Sequence, residues 1–198
     1  MERAFNIYKN HGDRGYIGES VSQLEHATQA AMLAEDYCDK NNIINPLKND
    51  LIISAFLHDI GHLLIFEYPN NNYPLMGDVG VKDHEFIGSE FLLSLGYSRI
   101  VAELVKGHVT TKRYLISKNE DYYNNLSDAS KETFKHQGGK MTHEQMNSYE
   151  NSSLFEYHLK IREWDDLAKS TEPKLLKKIK EMNPTYYYYN KYVNNYYN

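Results

Sequence analysis

Apolar residues recur at spacings of three and four along most of the chain, which is the period of an α-helix with one face against a core. The first clear stripe follows Ser20 or Ser22, either of which can cap a helix that runs to about Asn41. Its inward face carries one histidine among apolar and aromatic residues: His26, Ala30, Leu33 and Tyr37. The pattern therefore predicts an amphipathic helix whose histidine points into the core.

Three further helices are predicted along the chain from the same periodicity. Asn45 and Pro46 interrupt the pattern, and a helix then follows Asn49 and ends near Gly61. A loop rich in Asn, Pro and Gly occupies residues 68–80. The next two helices are predicted from near His84 to Gly96 and, capped by Ser98, over RIVAELVKGHVTTKRYL.

The C-terminal half is more polar but keeps the helical pattern. LSDAS is a plausible helix start, and residues 137–139 form a predicted turn. Ser152 or Ser153 opens a helix through LFEYHLKIREWDDLAK. One face of this helix carries two polar residues among apolar ones: Leu154, His158, Ile161, Asp165 and Ala168.

The whole pattern predicts an all-α helical bundle. No stretch shows sustained strand alternation and no linker divides the chain, so residues 1–198 are expected to form one domain with a core at about 16–169. Residues 170–198 are expected to form a C-terminal helix and a tail rich in Tyr and Asn. The tail is interpreted as a compositional bias without a packing period, the alternatives being packing on the domain or self-association.

Composition excludes several classes of function. A net charge of −5 gives no basic surface for nucleic acid. The one cysteine, Cys38, excludes an internal disulfide framework and a thiolate zinc cluster, and fits a reducing compartment. The N-terminus lacks the apolar core of a signal peptide, and no apolar run approaches the length of a membrane span. We expect a cytoplasmic, soluble protein with no membrane partner.

A metal site in the centre of the bundle is suggested by histidine and aspartate residues at five places on different predicted helices. One of the five places is a His-Asp pair. The six candidate ligands are His26, His58, Asp59, His84, His108 and Asp165. Imidazoles and carboxylates without thiolates suit iron, manganese or zinc. Six ligands are too many for one catalytic ion with an open position, whereas two ions bridged by Asp59 use them naturally. The helical face favours Asp165 over Asp166, and four histidines fall outside the pattern: His11, His136, His143 and His158.

The order H…HD…H…H…D, with HDIGH at its centre, resembles the HD-domain superfamily of helical metalloproteins. Most of its members are phosphohydrolases, and a smaller branch holds mixed-valent di-iron oxygenases. Further motifs resemble the branch that cleaves a carbon–phosphorus bond: Tyr16-x-x-Glu19 before His26, His62 in HDIGH, Lys112 in HVTTK, LSDAS, QGG and REWDDLAK. The resemblance covers about Tyr16 to Lys169.

The resemblance implies that the six candidate ligands bind two iron ions, Fe(II) and Fe(III), with Asp59 as the bridge. It implies that the phosphonate contacts are His62, Lys112, Ser130 and Arg162, and that Asp59, His62 and Lys112 take part in catalysis. Tyr16 would cover the open iron, and Glu19 would meet a cationic nitrogen of the substrate. From the residues alone, simpler roles stay open: Lys112 and Arg162 as solvated charges, Glu19 as a first-turn helix charge, and Tyr16 as a packing residue.

The implied reaction uses O2 to cleave the C–P bond of a 1-hydroxy-2-aminoalkylphosphonate. Its products would be phosphate and an amino acid, either glycine or an N-methylated analogue. The expected partners are therefore a small organophosphonate and O2, with the protein a monomer or a weak homo-oligomer. Two alternatives remain: a metal-dependent phosphohydrolase acting on a small phosphate ester or nucleotide, and a non-catalytic HD-like binding or sensor module.

Overall fold

The computed structural model describes residues 1–194, and the regular secondary structure in this part is helical, as the sequence predicts. Within this part of the chain there are no strands, only two isolated β-bridges. The first six helices are α1 (Glu2–His11), α2 (Gln23–Lys40), α3 (Leu47–Leu57), α4 (Ile60–Glu67), α5 (His84–Ser94) and α6 (Arg99–Lys118). The others are α7 (Glu120–Asn125), α8 (Asp128–His136), α9 (His143–Glu150), α10 (Phe155–Leu167), α11 (Pro173–Met182) and α12 (Pro184–Tyr188), followed by a π-helical segment, Tyr189–Asn194.

Helix α3 forms the centre of the bundle because it is apolar on nearly every side. All of its residues from Asn49 to Leu57 are buried, as expected of a helix without a polar face. Helices α2, α6 and α10 pack around it, and α10 also packs on α2 and α6. This arrangement turns one face of each helix toward a common interior.

The start of α2 is fixed at Ser22 rather than at Ser20. Ser22 Oγ accepts from the Glu25 amide at 3.2 Å, and the Glu25 carboxylate accepts from the Ser22 amide at 2.7 Å. This capping box satisfies two backbone donors of the first turn. His26 therefore lies one turn inside α2, on its buried face.

The predicted end of the second helix at Gly61 is wrong. Helix α3 begins at Leu47 and ends at Leu57, and the chain turns by 55° at His58 and Asp59 into α4. Gly61 lies within α4, where a Cβ atom would come within 2.0 Å of the His84 carbonyl oxygen. The glycine serves a close contact between α4 and α5, so it does not mark a helix end.

The other predicted helices are confirmed, with small shifts at their ends. Ser98 caps α6 and Ser127 of LSDAS caps α8. Helix α10 begins at Phe155, slightly later than predicted from Ser152 or Ser153. Helices α1, α7 and α9 were not predicted. Within residues 1–194, no single helix is long and apolar enough to cross a membrane, although the bent pair α3–α4 would be by length and composition alone.

The aromatic tail packs on the bundle as far as Asn194, which favours the alternative of packing on the domain over a compositional bias alone. Glu35 accepts hydrogen bonds from the Tyr187 and Tyr188 hydroxyls, each at 3.1 Å. The Tyr188 ring lies 5.1 Å from that of Phe56 in α3. The predicted tail extends to residue 198, and residues 195–198 lie outside the described part.

Candidate metal centre

The six candidate ligands come together in the interior of the bundle. His26 lies in α2, His108 in α6 and Asp165 in α10, while His84 begins α5. His58 and Asp59 occupy the turn between α3 and α4. Each of the six is at most 4% exposed.

The first group consists of His26, His58, Asp165 and one oxygen of Asp59. The Nε2 atoms of His26 and His58 are 3.1 Å apart, and each lies 3.3–3.6 Å from Asp59 Oδ2 and 3.4–3.6 Å from Asp165 Oδ1. Ligands about 2.1 Å from a common ion at tetrahedral or right angles are separated by about 3.0–3.4 Å. The four atoms therefore have the spacing of a metal-binding site.

The second group uses the other oxygen of the same carboxylate. Asp59 Oδ1 lies 3.3 Å from His84 Nε2 and 3.4 Å from His108 Nε2. These two nitrogen atoms are 3.0 Å apart. Asp59 therefore turns one carboxylate oxygen toward each group of histidines.

Histidine tautomers give an independent test of whether this cluster fits a metal. All four rings direct Nδ1 at a backbone carbonyl: His26 at Ala168, His58 at Ala55, His84 at Val81 and His108 at Val105, over 2.6–3.2 Å. A carbonyl oxygen only accepts, so Nδ1 carries the proton and a neutral ring has its lone pair on Nε2. Paired Nε2 lone pairs at 3.0–3.1 Å repel each other unless a cation lies between them. Without a metal ion that cation is a proton, since Asp59 and Asp165 raise the pKa of His58 well above its ordinary value against the effect of burial. The cluster therefore fits metal ions.

Both carboxylates of the cluster are charged. Burial alone would raise the pKa of Asp59, but the charge of a protonated His58, followed by hydrogen bonds from the imidazoles of His108, His58 and His84, keeps it well below its usual range. The pKa of Asp165 is also held well below its usual range, against burial, chiefly by the Arg162 guanidinium. The buried cluster thus presents two negative charges to any ion.

Tyr16 covers the first group of ligands. Its ring stacks on that of His26 with centroids 3.8 Å apart, and its hydroxyl donates to Asp165 Oδ1 at 3.3 Å. Burial, followed by the charge of Asp165, raises the pKa of Tyr16 well above its ordinary value. Tyr16 is therefore a neutral phenol next to the candidate metal position.

His62 has the opposite tautomer to the four candidate ligands. The Val81 amide donates to His62 Nδ1 at 3.1 Å, so the ring proton of the neutral form is on Nε2. Gly80, with φ +98°, permits this contact because a Cβ atom there would lie 2.7 Å from the His62 ring. Burial keeps the pKa of His62 well below its ordinary value. His62 is thus a neutral donor that lines the pocket above the cluster.

Lys112 contributes a buried ammonium to the same pocket. Its Nζ donates to Thr133 Oγ1 at 2.9 Å. Burial, together with the charge of Arg162, lowers the pKa of Lys112 to about 7. Ser130, one turn before Thr133 on α8, also lines the pocket. A dianionic group bound here would stabilise the charged form of Lys112.

Arg162 is engaged by acidic neighbours on its own helix. Its Nη1 donates to Asp165 Oδ2 at 2.6 Å, and its Nη2 binds the Asp166 carboxylate. Its Nε donates to the Tyr122 hydroxyl at 2.8 Å. Arg162 lines the pocket, but it also fixes the orientation of Asp165, and Asp166 lies outside the cluster.

Glu19 lines the pocket with its charge already paired. Glu19 Oε1 lies 2.9 Å from Lys169 Nζ, and both side chains are less than one-fifth exposed. Lys169 also lines the pocket. The sequence identified Glu19 but not its partner Lys169, which lies two residues beyond the end of α10.

All the predicted substrate contacts line one pocket above the cluster. They are Tyr16, Glu19, His62, Lys112, Ser130 and Arg162. Thr133 and Lys169 are pocket residues that the sequence analysis missed, and Tyr122 is a missed partner of Arg162. Thr133 lies three residues after Ser130 on one helical face, which is the signal that could have identified it.

The histidines outside the pattern do not belong to either group of candidate ligands. His158 is buried, and its Nε2 donates to the Glu103 carbonyl at 3.1 Å. His11 pairs with Glu67 at 3.0 Å. His136 ends α8 and His143 begins α9.

The fold and the buried cluster together define a helical metalloprotein of the kind built around a His-Asp pair. The HD domain family model matches residues 24–180, and the chain belongs to the HD-domain family. It is 38% identical over 165 residues to hydroxymethylphosphonate dioxygenase of Gimesia maris, covering 83% of this chain and 76% of the relative.

Two further relatives cover a similar part of the chain. It is 31% identical over 168 residues to the glycine-betaine-forming [1-hydroxy-2-(trimethylamino)ethyl]phosphonate dioxygenase of Leisingera caerulea, covering 84% of this chain and 78% of the relative. It is 42% identical over 172 residues to an uncharacterised protein of Acanthamoeba polyphaga mimivirus, covering 85% and 74%. Two of the three similar proteins are therefore named as phosphonate dioxygenases.

Proposed function

We propose that this protein is a di-iron oxygenase that uses O2 to cleave the C–P bond of a 1-hydroxyalkylphosphonate, releasing phosphate and a carboxylic acid. The observation that carries the proposal is the carboxylate of Asp59, which has one oxygen in each histidine group. The names of the phosphonate dioxygenase relatives support the reaction class. The resemblance of the Tyr16-x-x-Glu19 motif supports the same branch.

The cluster residues would hold the two irons, His26, His58, Asp59 and Asp165 around one and His84, His108 and Asp59 around the other. Bound iron would supply the one-electron chemistry that activates O2. The helical bundle contributes a buried, preorganised set of ligands whose orientation is fixed by backbone hydrogen bonds.

The phosphonate group would bind opposite the cluster, against His62 and Lys112. His62 offers an N–H, and Lys112 offers a cation whose hydrogen-bond partner, Thr133, is neutral. Charge-assisted hydrogen bonds of this kind are among the strongest in proteins. They would orient the C1–H bond toward the metal cluster and keep the substrate from drifting in the pocket.

Arg162 would act mainly through Asp165. The guanidinium is shared between Asp165 and Asp166, so much of its charge is compensated before any substrate binds. Tyr16, stacked on His26, would give way when the substrate takes its place beside the first iron.

The decisive experiment measures O2 uptake and phosphate release together on the iron-loaded protein. We expect one O2 consumed for each phosphate released from a 1-hydroxyalkylphosphonate. Phosphate release without O2 uptake would indicate the phosphohydrolase alternative. Full iron occupancy without turnover of any phosphonate would indicate a binding module.

The finer part of the proposal is the group attached to C1, and in particular whether its carbon, C2, carries an amino group. A 2-amino group, which would give glycine or an N-methylated analogue, depends on a free carboxylate at Glu19. That carboxylate is paired with Lys169, so a substrate ammonium at this position would compete with the lysine for Glu19.

A further inference from the structure

We infer that Arg113 is a positioning residue for phosphonate binding, because it holds helix α8 in place beside Lys112. The inference rests on the proposed C–P cleavage and assigns a residue to the substrate half of that site. Its basis is two hydrogen bonds from the Arg113 guanidinium to the turn after α8. Nε donates to the Gly139 carbonyl at 2.9 Å, and Nη2 donates to the Gly138 carbonyl at 3.3 Å.

Helix α8 forms one wall of the pocket. Ala129, Ser130 and Thr133 of this helix line the pocket. The Thr133 hydroxyl donates to the Ser130 carbonyl at 3.1 Å and accepts from Lys112 Nζ at 2.9 Å. A hydroxyl whose proton is directed at a carbonyl presents its lone pairs to other donors. The position of α8 therefore determines where the Lys112 ammonium is held.

Burial alone does not hold α8 in this position. Within the described part of the chain, no residue of α8 is buried. Segments with few buried apolar contacts open at a low cost in free energy. The beginning of α8 is in contact with the turn at Gly18, where a Cβ atom would lie 2.6 Å from Ala129 Cβ. The end of α8 is held by the contact that Arg113 makes with the turn.

The turn after α8 is shaped to accept a guanidinium. Gly138 and Gly139 have φ values of +90° and +67°, in the left-handed region that favours glycine. Their two carbonyls both accept from Arg113, and a Cβ atom on Gly138 would lie 3.3 Å from Arg113 Cζ. The planar fork of an arginine matches two acceptors in this way, whereas a lysine offers a point charge.

Helix α6 carries both the phosphonate-binding lysine and the residues that hold the turn. Lys112 lines the pocket, and the next residue, Arg113, binds the turn. Ser117, one helical turn later, accepts from the Met141 amide at 2.7 Å and donates to the Arg113 carbonyl at 2.7 Å. The chain beyond the two glycines is thus tied to the same helix as Lys112.

The consequence of losing Arg113 follows from this arrangement. If the turn is released, α8 can move away from α6, which takes Thr133 from Lys112 and Ser130 from the pocket. None of the six candidate metal ligands lies on α8. Phosphonate binding should therefore weaken while the metal content stays the same.

The test uses hydroxymethylphosphonate as the probe and the iron-loaded full chain. Its Kd is measured by calorimetry without O2, and hydrogen exchange reports the amides of residues 128–136. We expect Arg113→Met to raise the Kd by about tenfold, as for the loss of hydrogen bonds from a charged group. Exchange in α8 should become faster, kcat/KM should fall mainly through KM, and iron should be retained.

Matched variants separate positioning from a general effect on stability. Arg113→Lys keeps the charge but not the fork, and should recover part of the affinity. Arg99→Met removes an exposed arginine of the same helix and should leave the Kd unchanged. In a Thr133→Val background, Arg113→Met should raise the Kd by about threefold or less, because Arg113 acts through the helix that carries Thr133.

Each outcome supports or overturns the inference, and the O2 measurement separates it from the proposed function. A Kd changed by less than about twofold in Arg113→Met, unchanged exchange in α8, or an undiminished effect in the Thr133→Val background would overturn the inference alone. Should Arg113→Met fail to fold, Arg113→Gln takes its place under the same criteria. The expected rise in Kd without any O2 uptake would support the inference and contradict the oxygenase proposal. Failure of the native protein to bind the phosphonate would overturn both.

Discussion

The pocket has a metal half, formed by the six candidate ligands, and a substrate half, formed by the proposed substrate contacts. Apart from His26, whose Nδ1 donates to the distant Ala168 carbonyl, the histidines of the metal half are oriented by short-range contacts, and the substrate half is oriented by long-range ones. Three of the candidate metal ligands, His58, His84 and His108, direct Nδ1 at a carbonyl three residues earlier in the chain. The groups proposed to contact the substrate take distant partners instead. Lys112 contacts a residue 21 positions away, and Glu19 one that is 150 positions away.

This difference indicates that the substrate contacts can change independently of the metal ligands. A ligand oriented by a carbonyl three residues before it keeps its direction as long as that short stretch of backbone is formed. A charge whose partner comes from a remote segment can be paired differently by one substitution. We therefore expect that substitutions at only a few positions abolish metal binding. Substitutions at several other positions should alter the choice of substrate without loss of metal.

Substituting Asp59 should have the largest effect because it removes an oxygen from both histidine groups. We expect Asp59→Ala to lose bound iron and to lower activity by about three orders of magnitude. Metal analysis and O2 uptake measure the two effects. Asp166→Ala, which changes a carboxylate outside the cluster, is the control and should keep its iron. Two irons retained in Asp59→Ala would contradict the bridging role.

Lys112 should affect substrate binding while leaving metal content unchanged. We expect Lys112→Met to lower kcat/KM by about 100-fold, since a buried charge-assisted contact to the phosphonate is lost. Lys112→Arg should recover part of this loss because it keeps the charge. Steady-state kinetics beside metal analysis test the claim, and a parallel loss of iron would show that the two halves are not separable.

Gly61 should affect the metal half through packing rather than chemistry. A Cβ atom at this position would lie 2.0 Å from the His84 carbonyl oxygen, so Gly61→Ala should lower the free energy of unfolding by about 2 kcal/mol. Gly15 has no atom within 4 Å of such a Cβ. Gly15→Ala is thus the matched control in chemical denaturation, and an equal loss in both variants would refute the contact.

The pH dependence of kcat/KM should report the protonation of Lys112 in the substrate half of the pocket. Burial lowers the pKa of Lys112 to about 7, and only the protonated lysine attracts the phosphonate. We therefore expect kcat/KM to fall by about tenfold per pH unit above pH 7. Lys112→Arg should lack this descending limb because arginine stays charged. Ionisation of the substrate is common to both proteins, so a profile that is unchanged by the substitution would exclude Lys112.

Much of the fold followed from helical periodicity and capping residues. Ser22, Ser98 and Ser127 cap the helices expected from their sequences. The helix end predicted at Gly61 was wrong because the sequence alone does not distinguish a glycine that ends a helix from one that permits close packing. Helices α1, α7 and α9 were missed because their amphipathic patterns are short or polar.

The sequence by itself determined the all-helical class. It also determined which histidine and aspartate residues the helices offer as candidate metal ligands. Tertiary structure alone decided that His62 takes the opposite tautomer to the other four rings, through the amide of Val81. It alone decided that Glu19 meets Lys169. The reason is physical: orientation within one helical turn is encoded locally, whereas pairing between remote segments exists only once the helices pack.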